Sequence, residues 1–185
     1  MRVEIVEEAD GTPQDSVFPA GEKYLNLRDN PQAVDSIAGA RQFLPLRNFL
    51  ISVNGPESIF ATSSATTKSE SPAAVSADPA YEFASQARIV FREPSLNLER
   101  RHYVDLGSRL KELLERETED PVRTVLRISS CDFTAENRRG FCLDIRLVAH
   151  GESAQQAEVR WGLGLARMQQ ALLFRSRALN QHIPE

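Results

Sequence analysis

The stretch VRTVLRISSCDF (122–133), followed after a short polar loop by FCLDIRLVAHG (141–151), decides how this chain is read. Leu126 and Ile128 alternate with polar neighbours in the first segment, and Phe141, Leu143, Ile145 and Leu147 do so in the second. An apolar residue at every second position lies on one side of an extended chain, the pattern of a half-buried strand. The intervening residues 134–139 are polar and end at Gly140, so the two segments are expected to form a β-hairpin. Placing Leu126 opposite Leu147 and Ile128 opposite Ile145 sets Cys131 against Cys142 on the other face. A slip of two residues keeps the same buried face, so several registers satisfy the pattern.

Two periodicities compete immediately after this hairpin. Val159, Trp161, Leu163 and Leu165 alternate with Arg160, Gly162 and Gly164, the pattern of a third strand. Ala154, Ala157, Trp161, Leu165, Met168 and Leu172 also form a helical stripe behind a capping box at 153–156. Two interior glycines cost a helix about 1 kcal/mol each relative to alanine, so the strand is the favoured reading to Leu165, with helix over 167–180.

Upstream, Tyr81, Phe83, Ala87, Ile89 and Phe91 share one parity, which predicts a long strand ending before Pro94. Tyr103, Leu106, Leu110 and Leu113 recur at helical spacing. Nearer the N-terminus, residues 2–6 alternate weakly, Asp10 to Pro13 reads as a turn, and Asn30 before Pro31 reads as a helix start. Segments 49–53 and 58–62 flank the turn residues Asn54-Gly-Pro-Glu57 and are expected to form a second hairpin. The Ser, Thr, Ala and Pro-rich run at 62–80 reads as a loop or linker, because it has too little apolar surface to offset its ordering entropy. It separates an N-terminal segment, 1–61, expected to pack on the main domain, from that α+β domain at 81–185. The expected fold class is α+β: a largely antiparallel sheet of about five to seven strands, including a C-terminal hairpin or meander, with about three helices packed on it.

Composition narrows the function classes. The 185 residues are 41% hydrophobic and 26% charged, which are globular proportions. The formal net charge of -4 argues against nucleic acid, whose binders present basic faces. No apolar run approaches the roughly 18 residues that span a bilayer, and the acidic opening MRVEIVEEAD lacks the basic and apolar regions of a secretory signal. A cytoplasmic protein without a membrane partner is the expectation.

Candidate chemistry is sparse, and neither catalytic residues, a metal site nor a cofactor is expected. Cys131 and Cys142 are a candidate redox pair if the register brings them together; the plainer reading is two reduced thiols packed on a sheet. His102 and Asp105 stand three apart on a helix face, a spacing used in acid-base work, and form a candidate polar site within the charged run LERRHYVD. Arg138 and Arg139 at the hairpin tip are candidate anion contacts, since arginine presents a planar fork of donors. The Gly-Leu-Gly at 162–164 lacks the third glycine and downstream acid of a dinucleotide fingerprint. These readings favour a non-enzymatic interaction or assembly module that presents a sheet edge or helix face to a protein partner or to itself. The alternative is a small-molecule-binding domain or enzyme whose pocket gathers residues distant in sequence.

Overall fold

The computed structural model describes residues 1–9, 16–17, 25–70, 81–115, 122–134 and 137–180. The predicted turn at 10–13 and the residues 71–80 of the Ser/Ala/Pro-rich run lie outside them. Strands β1 (Arg2–Glu7), β3 (Phe60–Glu70), β4 (Tyr81–Phe91), β5 (Val122–Phe133) and β6 (Arg138–Gly151) lie in the order β1-β5-β6-β4-β3, and the two-residue β2 (Ser16–Val17) adds to β5. Helices α1 (Ala38–Gln42), α2 (Leu44–Val53), α3 (Arg100–Leu114) and α4 (Ala154–Asn180) accompany the sheet, with 3-10 turns at Pro31–Ser36 and Pro94–Leu98.

The fold is α+β, and the sheet is mixed. β5 pairs antiparallel with β6, β6 with β4, and β4 with β3, but β1 runs parallel to β5 with Arg2 beside Arg123. The expected antiparallel pairs and the C-terminal hairpin are present, and the departures are the parallel β1–β5 pair and the helix count: among the described residues four α-helices and two 3-10 turns stand where about three helices were expected, and the hairpin is followed by a helix and not by a third strand. Period two marks a strand but carries nothing about the direction of a distant partner, and β1 lies more than a hundred residues from β5.

The β5–β6 hairpin forms, in a register slipped by two. Leu126 faces Ile145, Ile128 faces Leu143, Cys131 faces Gly140, and Cys142 faces Ser129. The slip keeps Leu126, Ile128, Leu143, Ile145 and Leu147 on the helix-covered side. Asn137 turns the chain at φ 49, a left-handed conformation that asparagine tolerates. Gly140 then has a specific reason to be glycine, because a Cβ there would sit 2.6 Å from the Asn97 carbonyl oxygen.

Residues 154–180 form one continuous helix, against the expectation of a third strand to Leu165. Ser153 Oγ accepts a hydrogen bond from the Gln156 backbone at 3.2 Å, and Gln156 Oε1 accepts one from Glu152 at 2.7 Å, so the helix start is capped. Ala157, Trp161, Leu165, Met168 and Leu172 are buried, and Trp161 Nε1 donates to Ser85 Oγ at 2.8 Å. The glycines that argued for a strand permit close approach instead. A Cβ at Gly162 would meet Pro45 Cγ at 3.0 Å, and one at Gly164 would meet Val122 Cγ1 at 2.9 Å.

The predicted hairpin at 49–62 is replaced by helix α2 followed by strand β3. Leu46, Phe49, Leu50 and Val53 fall at helical spacing and are all buried, which outweighs the local strand pattern at 49–53. β3 also continues through the Ser/Thr-rich segment to Glu70, so that part of the expected loop is an edge strand. Pairing with β4 supplies the ordering energy that its own side chains do not. The helix expected to start at Pro31 is divided into a 3-10 turn and the short α1, and Asn30 makes no side-chain cap.

Tertiary packing gathers α2, α3 and α4 on one face of the sheet around a single large apolar cluster. Phe83 anchors it, with its ring 4.5 Å from that of Trp161 and 4.9 Å from that of Phe43. At the α3 end, Asn97 Oδ1 accepts from the Phe91 backbone at 2.8 Å and from Tyr103 Oη, while Asn97 Nδ2 donates to the Phe91 carbonyl at 2.9 Å. Burial pushes the Tyr103 hydroxyl well above the ordinary tyrosine range, so it stays a donor to Asn97.

Candidate interaction surface

The two faces of the molecule dispose of their side chains differently. On the sheet face away from the helices, Arg88 and Asp144 form a bidentate ion pair, Nε to Oδ1 at 2.9 Å and Nη2 to Oδ2 at 3.0 Å, with both residues buried. Ser129 Oγ donates to Asp144 at 3.4 Å. Cys131 and Cys142 lie beside this pair in a small cluster with Val17, Val90 and Phe133. They form no disulfide, are fully buried, and lie diagonally in the ladder, not directly opposite each other. Hydrogen bonding to Cys142, then burial, pushes the Cys131 thiol above the ordinary range.

The remaining sequence candidates stay apart. His102 and Asp105 sit on α3, but His102 Nδ1 lies 3.0 Å from the Leu96 carbonyl, whereas the exposed Asp105 accepts from Arg175 at 3.0 Å. Arg138 and Arg139 are exposed at the hairpin tip, with Arg139 Nε 3.8 Å from Asp132. Among the described residues, no three His, Cys, Asp or Glu side chains gather as a metal site would require. Among the described residues no helix is long and apolar enough to cross a membrane.

One cleft of about 260 Å³ opens near the end of β4, lined in part by Asn54, Arg92 and Asn97 with Arg28 exposed at its edge. Its polar groups are largely committed to the fold. Asn54 bonds to Leu50 and Thr62, Arg92 donates to the carbonyls of Asn54 and Gly55, and Asn97 is held as described above. Convergent groups free to fix a ligand are what a small-molecule site needs, and here they are engaged with backbone.

The helical layer, by contrast, leaves apolar side chains in solvent. Leu44 at the start of α2 is 63% exposed, and on α4 Val159, Leu163 and Phe174 are 57%, 61% and 59% exposed. The three α4 residues fall along one helical line, with the exposed Ala166 and Gln170 between them. The opposite line of the same helix supplies Trp161, Leu165, Met168 and Leu172 to the core. An ordinary surface helix is apolar on one side only. Between α2 and α4 a groove of about 430 Å³ is lined by Leu44, Pro45, Asn48, Ile51, Ala166 and Gln169 among others. The sequence contained the signal in an ambiguous form: once 154–180 is a helix, Val159 and Leu163 fall off the buried stripe and stand more than half exposed.

Comparison of the chain with protein-family models, with curated proteins and with solved structures finds no match.

Proposed function

We propose that this protein is an interaction or assembly module that docks a protein through the outer surface of α2 and α4. The observation that carries this reading is the exposure, by more than half, of Leu44, Val159, Leu163 and Phe174 on the same helical layer. Isolated exposed apolar residues are ordinary on a protein surface, whereas several on one helical layer, with Leu44 in the wall of the α2/α4 groove, point to a surface that is covered in use. Support also comes from His102, Asp105 and Arg139, which are engaged by the Leu96 carbonyl, Arg175 and Asp132 and do not converge on one cavity.

Side-chain oxidative footprinting of the full chain inside its own cells, compared with the purified chain at low concentration, tests this. Protection of Leu163 and Phe174 in the cell, lost on dilution, is the expected result. Equal labelling of both residues in the two conditions overturns the reading.

A further inference from the structure

We propose that the occupant of the α2/α4 surface is a second copy of this chain, laid antiparallel across α4 about a two-fold axis near Ala166; this rests on the docking reading above. The outward line of α4 runs Val159, Leu163, Ala166, Gln170, Phe174, all exposed and all uncharged. Its spacing is nearly symmetric about its middle. Turned end for end, Val159 meets Phe174 and Leu163 meets Gln170, with the small Ala166 at the crossing where two helices must come closest. Isologous contacts of this kind require a self-complementary patch, and this line is one.

Charge selects the direction. Glu152 and Glu158 are exposed at the start of α4, and Arg177 is exposed at its end. An antiparallel copy brings Arg177 onto the first turn of the other helix, between the two glutamates, and opposes the helix dipoles as well. A parallel copy sets like charges side by side. The Arg177 pair with Glu57, 3.1 Å apart, has side chains 67% and 70% exposed, so exchanging that partner costs little. Arg160, the other cation of the first turns, is turned back onto the His150 carbonyl at 2.8 Å. In the antiparallel arrangement Leu163 of the copy also lies one turn from the wall of the α2/α4 groove formed by Ala166 and Gln169.

Sedimentation equilibrium of the full chain, with native mass spectrometry, reads the result. A dimer is expected, weakened about 30-fold or more by Leu163→Glu and likewise by Phe174→Glu, because a charge then replaces a central apolar anchor. Arg177→Glu is expected to weaken it less, and E152R/E158R combined with R177E to restore it. Circular dichroism confirms folding of each variant, and Phe174→Glu keeps the test open if Leu163→Glu fails to fold. A chain that stays monomeric up to the order of 100 μM, far above micromolar association, overturns the second copy as occupant. If Leu163 is nevertheless protected in cells, the docking surface stands with another protein on it. A dimer indifferent to both apolar substitutions overturns the second-copy assignment to this surface.

Discussion

The outward faces of the sheet and of the helical layer both pair their charges, and they differ in how much apolar surface they leave exposed. On the sheet face the charges find each other: Arg88 with Asp144, Arg123 with Glu4 at 2.7 Å, Arg127 with Glu8 at 3.4 Å. The helical face has ion pairs as well, Arg175 with Asp105 at 3.0 Å and Arg177 with Glu57 at 3.1 Å, but there apolar side chains of α2 and α4 also remain in water. A face whose groups are mutually satisfied is complete within one chain, whereas the apolar groups left exposed on α2 and α4 are what the proposed docking would bury. The difference teaches that function here is to be sought where the fold leaves surface unfinished, and not where its polar groups are densest.

The largest effect that would break this contrast lies on the sheet face. Replacing Arg88 with Leu leaves Asp144 buried without its cation and is expected to cost about 3–5 kcal/mol in urea unfolding. A loss under about 1 kcal/mol would mean that the pair is solvated and the two faces are less different than described. Leu126→Ala, in the core between the faces, is expected to cost about 2–5 kcal/mol and sets the scale for ordinary packing. Gly164→Ala is a finer probe: its Cβ would press on Val122 at 2.9 Å, offset by the gain of about 1 kcal/mol in helix propensity, so a net loss of about 0–2 kcal/mol is expected, and thermal unfolding checks it.

A smaller effect concerns Glu115 at the end of α3. Hydrogen bonds from Lys111 Nζ and the Val3 backbone, each 3.0 Å, hold its carboxyl below the ordinary glutamate range. A depressed folded pKa contributes stability that is fully present above the unfolded pKa and is lost as pH falls through the folded value. Glu115→Gln is therefore expected to flatten the acid limb of the stability profile slightly while leaving its alkaline side unchanged in shape, as pH-dependent unfolding would show. Leu163→Glu stands at the bottom of the series, with an effect on monomer stability within about 0.5 kcal/mol. A large loss there would place Leu163 in the fold and weaken the contrast from the other side.

Much of the architecture was legible where one chain segment carries its own pattern. The strand over Tyr81–Phe91, the helix through Tyr103 and Leu110, and the β5–β6 hairpin all follow from local periodicity. The candidate site was barely legible. Val159 and Leu163 belonged to the same alternation that suggested a strand, and their exposure has meaning only once Trp161 and Leu165 are known to face inward from a helix. Cys131 and Cys142 show the converse: the sequence placed them on one face correctly, but the register that would have set them opposite each other slipped by two.

What the sequence by itself determined is parity and period: which residues of each strand share a face, and which helical stripes are apolar. Those properties are local, since they depend only on backbone geometry and the polarity of neighbours. The tertiary structure decided the rest. The parallel seat of β1 against β5, the two-residue register, and the choice of helix at 154–165 all depend on surfaces far away in the chain: β5 beside β1, Asn97 over Gly140, Pro45 and Val122 against two glycines. Packing energy summed over such contacts exceeds the local preference of about 1 kcal/mol per glycine, and so the fold overrules the segment.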